Sequence, residues 1–426
     1  MKPSKNIEDR LKRQFEHVYQ NSPFYRNHHR YHGVHHDVLE YLHDLPFTDK
    51  KAVLEDQMLY PPFGTNLCVS ATHLSRVHKT SGSSETPLLI ALTAHDIKHI
   101  VKTGSKCFKN SGIKNNDIVI HCLNYNMWAG GYTDHQSMEA TGATVIPFGV
   151  GNTVQLIRTI QQIKPTAIHC TPSYLKKIER VLQEEFTSLL PKNLGLKTGL
   201  FGAESGLQNP IFRKSIEDTW SIKAMNANYG LSEVLSVFAS ESVNQEGLEF
   251  QASDVLYPEI IDNNSGIPLS IENGVFGELV LTNLSKESQP YIRYKTGDLV
   301  RVLRVLSNNN DEFKFSFEVC GRVDNMLVIK GINVYTSSIE QILKKYEGVI
   351  SGFFDILVSK DDPIDQVVLR VSTIKDESNQ LLLNTVLSQI HSDLAHTIGV
   401  SIDVIDCDLS DIITDNNKIK TIKRIL

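Results

Sequence analysis

Six cysteines among 426 residues, with no C-x-x-C, are too few and too scattered for a disulfide framework or a zinc module. Cys68, Cys107, Cys122, Cys170, Cys320 and Cys407 stand far apart, several in apolar strand-like runs, and read as buried free thiols in a reducing cytoplasm. There is no polybasic tract and the net charge is −6, which argues against nucleic acid or an anionic membrane as the main partner. No apolar run reaches the ~18 residues of a spanning helix. The opening MKPSKNIEDRLKRQF has no apolar core of a secretory signal, so a cytoplasmic location is expected. Internal repeats and low-complexity linkers are also missing.

What is present is ample for folding. A hydrophobic content of 41% supports a sizeable core, and the length calls for two or more domains. Ile7, Leu11, Phe15, Val18 and Tyr19 recur at helical spacing over 7–20. His28, His29, His32, His35 and His36 follow and include i,i+4 pairs, a spacing that suits a metal on a helix. No Cys or carboxylate completes such a site nearby, so a solvated polar helix and turn is the preferred reading.

From about 88 to 230 strands and helices alternate. DIVIHCL (117–123), TGATVIPFG (141–149), TAIHCTP (166–172) and GLKTGLFGAES (195–205) are apolar and β-branched. Helical stretches lie after Thr93, over 152–163 and over 173–186. This pattern predicts an α/β domain with a largely parallel sheet, in which ligands collect at the carboxyl ends of strands. HCLNYNMWAGG, FGAESG and NANYGLSE fall at those ends. From about 234 to 320 a β-rich subdomain is expected. After Asp324 comes a small α+β unit with a helix at 336–346, a hairpin, a long helix and a last strand. The predicted division is 1–323 and 324–426.

Several short motifs carry chemistry. Thr80, Ser81, Gly82, Ser83 and Ser84 form a small-residue cluster whose amides and hydroxyls suit phosphate oxygens, although an ordinary loop reads the same way. It is not a Walker loop, since no Gly-Lys-Ser/Thr follows. In NANYGLSEV, Tyr229 can stack on a base beside Gly230, and Glu233 can take Mg2+. YIRYKTGDLVRV (291–302) places Asp298 in a Thr-Gly-Asp turn after a strand, and GRVDNMLVIKGINVYTSSIE (321–340) puts Arg322 and Asp324 at a change of composition. Asp298 and Arg322 read as a grip on a nucleotide sugar, and Asp324 as an interdomain hinge. The tail TDNNKIKTIKRIL holds Lys418, Lys420, Lys423 and Arg424, either a solvated basic end or a source of one cation for a reacting oxygen.

In order and spacing these pieces resemble the adenylate-forming ligases, and within them the phenylacetate–CoA ligase group. The resemblance begins at SPFYRNHHR and runs through RVHKTSGSSETP, IHCTPSYL, NYGLSEV and YIRYKTGDL to GRVDNMLVIKGINVYTSSIE. It implies a large multi-subdomain N-terminal domain with a small mobile C-terminal domain. It also implies a two-step reaction using ATP, Mg2+ and coenzyme A, in which a carboxylic acid becomes an acyl-adenylate and then a thioester. By that pattern residues Thr80 to Ser84 form the phosphate loop, and Gly202, Ala203 and Glu204 line the adenine site with Tyr229 and Gly230. Glu233 binds Mg2+, and Asp298 holds the ribose with Arg322. Lys418 is the catalytic lysine, with Lys420 as runner-up, and Asp324 is the pivot that presents the GINVY segment for the second step. Tyr125, Trp128, Gly130, Gly131 and His135 match the acid-binding side and suit a flat aromatic or arylacetic acid.

The sequence departs from the family at Glu85 and Thr86, where a glycine and a lysine are usual, and at Asn417, before the lysine. A lost cation and an added carboxylate beside the phosphates should weaken ATP binding. Two further readings stay open. One is transfer of the acyl group to a carrier-protein thiol or an amine. The other is a non-catalytic homologue that binds nucleotide or acid. A homodimer is left open.

Overall fold

A computed structural model describes residues 4–425, apart from 32–41, 81–86, 203–206, 209, 308–311, 324–325, 330–331, 360–365, 375–376, 399–401 and 413–421. The chain divides into two units, one of residues 1–296 and 300–318, the other of residues 297–299 and 319–426.

The larger unit is organised on a parallel sheet. Helix α1 (Ala94–Asn110) starts at a Thr93/Asp96 capping box, in which each side chain accepts from the other residue's amide. It is followed by β1 (Ile118–His121), α2 (Ala129–Glu139), β2 (Thr144–Pro147), α3 (Thr153–Ile163), β3 (Ala167–Cys170), α4 (Pro172–Glu185), β4 (Thr198–Gly202), α5 (Pro210–Trp220) and β5 (Lys223–Leu231). These strands pair in parallel in the order β2-β1-β3-β4-β5. The order reverses between β1 and β3, which opens a crevice at their carboxyl ends.

Period-two alternation sends each strand's side chains to two faces. On one face Ile120, Ile168, Cys170, Phe201 and Ala224 pack under α3, α4 and α5 through Leu156, Ile160, Leu175, Ile178 and Trp220. On the other Val119, Ala167, Leu200, Met225 and Ala227 meet Phe108 of α1 and Met138 of α2.

The β-rich region expected after 234 is present, but it continues the same sheet. Strand β5 pairs in parallel with β4 on one side and antiparallel with Leu235–Glu241 on the other. Two local expectations need correction. Thr296-Gly297-Asp298 does not form a turn after a strand; it lies inside the 14-residue strand Tyr294–Ser307, with Gly297 at a φ of 74°. The histidine segment is not wholly solvated. His29 is buried, with its ring stacked on Phe15 at 5.5 Å, while His28 hydrogen-bonds the Phe47 carbonyl at 3.0 Å. His32, His35 and His36 lie outside the described residues. Among the described residues no cluster of three potential metal ligands occurs, and no helix is long and apolar enough to cross a membrane.

The smaller unit is the α+β fold expected. Its sheet runs Asp403–Cys407, Gln366–Thr373, Ile350–Ser359, Ile422–Ile425, the middle two strands antiparallel and the outer two added in parallel. Helices Thr336–Leu343 and Glu377–Ile398 supply Ile339, Ile342, Ile390 and Leu394 to its core. Its buried Asp355 is held by Arg370 at 2.7 and 2.8 Å, the bidentate geometry that a desolvated carboxylate needs.

Candidate active site

The β1/β3 crevice gathers the residues expected on the acid side. After β1 the chain passes through Tyr125 and Met127, whose φ is 61°, before Trp128 caps α2. Strand Arg76–Lys79 pins this passage. The Lys79 amide donates to the Met127 carbonyl at 3.0 Å, His78 Nδ1 donates to the same oxygen at 3.2 Å, and the Lys79 ammonium stands 5.5 Å from the centre of the Trp128 ring. Gly131 lies so close to the Asn124 carbonyl that a Cβ there would collide with it. The Tyr125 hydroxyl donates to His135 Nδ1 at 3.0 Å, and His135 Nε2 faces Glu139 at 3.1 Å. This relay fixes the imidazole tautomer, and burial raises the phenol above its usual range. Tyr125, Trp128, Gly130, Gly131 and His135 therefore belong to one strand-to-helix passage.

Beneath that passage lies a polar group that the sequence reading missed. His121 and His169 end the apolar rows of β1 and β3, and their Nδ1 atoms are 2.8 Å apart. His121 Nε2 donates to the Gly131 carbonyl at 2.7 Å. Burial holds both imidazoles below their ordinary value, His121 at about 4 and His169 well down as well, so both are neutral. Asp134 of α2 is fully buried next to them. Its Oδ2 accepts from Asn228 at 2.6 Å and stands 3.9 Å from His169 Nε2, and burial raises its carboxyl well above the carboxylate range. A register irregularity between Phe201 and Gly202 in the β4–β5 pairing turns Asn228 over Gly202, where any Cβ would strike the amide oxygen. The repeated Ile-His-Cys at 120–122 and 168–170 was the available signal: two histidines at equivalent strand ends on one face.

On the nucleotide side, Thr80 closes the base of the small-residue loop. Its amide donates to the Leu88 carbonyl at 2.9 Å, and its hydroxyl accepts from the Leu88 amide at 3.2 Å. Ser81, Gly82, Ser83, Ser84, Ala203 and Glu204 lie outside the described residues. Tyr229 is held by edge contacts to Phe238 and Phe317, with centroids 5.0 and 5.6 Å away. Gly230 sits where a Cβ would meet the Ser236 carbonyl. Glu233 is buried; its Oε1 accepts from Tyr294 at 2.8 Å and lies 3.7 Å from the Lys50 ammonium. Lys286 donates to the Glu233 carbonyl. A single anchored carboxylate is compatible with Mg2+, which takes one or two carboxylates from protein and its other oxygens from phosphates and water.

In the smaller unit Arg322 donates to Asp298 Oδ1 at 2.6 Å, with Asp298 largely buried and Arg322 half-exposed. The two residues assigned to one sugar are thus in direct contact. Asp324, Lys418 and Lys420 lie outside the described residues.

Comparison with known proteins gives the family and the fold. Residues 331–424 match the model of the AMP-binding enzyme C-terminal domain. The phenylacetate–coenzyme A ligase of Aromatoleum evansii is 33% identical over 409 residues, 94% of this chain and 89% of that protein. The enzyme of the same name from Escherichia coli K12 is 32% identical over 93% of this chain and 88% of its own. A 2-hydroxyisobutyryl-CoA ligase, solved in the postadenylation state with R3-HIB-AMP, superposes with a TM-score of 0.80 at 25% identity, covering 99% of this chain and 89% of that one. The same ligase in an open conformation with 2-HIB-AMP and CoA gives 0.77 at 25% identity, with coverage of 98% and 91%. The chain belongs to the phenylacetate–coenzyme A ligase family of adenylate-forming enzymes.

Proposed function

We propose that this chain activates a carboxylic acid with ATP and transfers the acyl group to coenzyme A. The acid's carboxylate oxygen attacks the α-phosphorus of ATP and the α–β bridging bond breaks, giving acyl-adenylate and pyrophosphate. The coenzyme A sulfur then attacks the acyl carbon, AMP leaves, and the thiol proton passes to solvent. One observation carries this reading. The chain matches a phenylacetate–coenzyme A ligase at 33% identity over 94% of its length.

In this reading the amides and hydroxyls of Thr80 to Ser84 hold phosphate oxygens, and Gly202, Ala203, Glu204, Tyr229 and Gly230 frame adenine. Glu233 would hold Mg2+, whose chemistry is to neutralise charge on the triphosphate. Asp298 accepts from the ribose hydroxyls while Arg322 holds it oriented. Lys418 places a cation on the oxygens that gain charge in the first step. Residues 324–426 act as a lid that pivots at Asp324 between the steps. Tyr125, Trp128, Gly130, Gly131 and His135 receive the acid, an aryl or arylacetic one because Tyr and Trp beside two glycines suit a flat ring.

The test separates the half-reactions. Lys418→Ala should lose adenylation by about a hundredfold or more while still forming thioester from supplied acyl-adenylate. Equal loss of both, survival of both, or selective loss only with Lys420→Ala rejects the assignment. Asp298→Ala should lose ATP affinity by calorimetry.

A further inference from the structure

We infer that Tyr294 is a positioning residue for the divalent cation of the first step, its hydroxyl fixing the Glu233 carboxylate so that one oxygen stays open to the metal. The inference deepens the ligase reading and rests on it.

Both partners are buried, and they stand 61 positions apart in the chain. The Tyr294 hydroxyl donates to Glu233 Oε1 at 2.8 Å. The phenol is held from two sides. Its ring meets Tyr291 edge-on with centroids 4.9 Å apart. Thr48 brackets its backbone, donating to the Arg293 carbonyl at 3.0 Å and accepting from the Lys295 amide at 2.8 Å. Glu233 is tied at its backbone as well. Lys286 donates to its carbonyl, and the next amide, of Val234, closes a turn onto the Leu231 carbonyl at 3.1 Å. Among the described residues no hydrogen bond reaches Glu233 Oε2.

The choice of donor separates Glu233 from three other buried carboxylates. Glu259 is held by Arg293 at 3.0 Å, Glu241 by Arg213 at 2.7 Å, and Asp355 by Arg370 at 2.7 Å. An arginine fork fills both oxygens and brings a positive charge. A phenol fills one oxygen and brings none. The Lys50 ammonium stands 3.7 Å from Oε1, beyond hydrogen-bond reach, and its side chain is half-exposed, so solvent screens that contact. Glu233 is thus oriented by a neutral group and left open at its second oxygen.

That arrangement suits Mg2+. The ion demands near-ideal octahedral geometry, so a carboxylate that serves it must be held still. Hydrogen bonds to a ligating carboxylate supply the orientation. Without the hydroxyl, Glu233 is free to close on Lys50, and an ammonium then competes with the metal for the same side chain.

The experiment uses the full chain and a nucleotide that cannot react, α,β-methylene-ATP. Calorimetry measures its affinity in Mg2+ and in EDTA, and the ratio is the Mg2+ enhancement. Tyr294→Phe should lower that enhancement by about tenfold or more while affinity in EDTA stays unchanged. Glu233→Gln should remove the enhancement. Tyr294→Phe added to Glu233→Gln should then change nothing further, because the hydroxyl acts only through that carboxylate. An enhancement in Tyr294→Phe equal to the wild type overturns the inference. So does an equal loss in EDTA, which marks a general structural role, or a further loss on top of Glu233→Gln. If Tyr294→Phe fails to fold by thermal melting, Glu233→Asp decides in its place. It keeps the carboxylate but withdraws it from the hydroxyl, so the enhancement should fall, and a full enhancement there overturns the inference. An intact enhancement in Glu233→Gln rejects Glu233 as the metal's ligand, and no binding of the analogue to the wild type rejects the ligase reading. Either result overturns the inference with it, whereas loss in Glu233→Gln beside full enhancement in Tyr294→Phe overturns the inference alone.

Discussion

The two faces of the parallel sheet are built from the same five strands and differ in purpose. Under α3, α4 and α5 the rows stay apolar to their ends, through Ile120–Cys122 and Ile168–Cys170. Under α1 and α2 the rows begin with Val119, Ala167 and Leu200 and finish with His121, His169 and Gly202, against Asp134. An apolar row stabilises in proportion to the area it removes from water. A buried polar row contributes less, because each polar group loses water and regains only its hydrogen bonds within the protein.

The sharpest way to break the comparison is to substitute on each face. Ile168→Ala, beneath α3 and α4, should lose about 2–5 kcal/mol in urea unfolding. Asp134→Asn should leave stability unchanged or higher at pH 7. A carboxyl whose folded pKa is raised opposes folding wherever the unfolded state would ionise. A loss at Asp134 as large as that at Ile168 would make the two faces equivalent.

The next test uses pH. His121 binds a proton near 6.5 when unfolded and near 4 when folded, so the unfolded state gains protons first as pH falls. Stability should therefore fall between about pH 6.5 and 4, by about 3 kcal/mol from this group alone. His121→Gln should flatten the urea midpoint over that window. An unchanged slope would mean the histidine pair is not buried in the neutral form.

The smallest effect is expected at Tyr125→Phe. It removes one hydrogen bond to His135, worth about 0.5–1.5 kcal/mol. It should shift relative kcat/KM among acids more than it shifts ATP affinity. An equal change in both would take Tyr125 out of the acid side.

Strand and helix periods were legible from the sequence because burial repeats at fixed spacing, as in the strands at 118–121 and 167–170 and the helices that follow them. The nucleotide-side positions were legible because short motifs such as NYGLSE and TGDL carry their own local chemistry. What was not legible depends on pairing between distant segments. Asp134 and Asn228 are 94 positions apart, and only the β4–β5 irregularity turns one toward the other. The strand character of Thr296-Gly297-Asp298 was hidden for a similar reason. Glycine before aspartate is a turn signature, and neighbouring strands override it. His29 was read as solvated because its partner ring, Phe15, belongs to the preceding helix.

The central claim is that this chain builds an acyl-adenylate and hands it to a thiol. The most direct measurement is acid-dependent pyrophosphate release across a panel of carboxylic acids, with coenzyme A absent and present, and with the acyl products identified by mass. The account predicts acyl-adenylate without coenzyme A and the matching thioester plus AMP with it. Adenylate that forms but passes only to a carrier protein or an amine would contradict the second step, and no acid-dependent pyrophosphate from any acid would contradict the first.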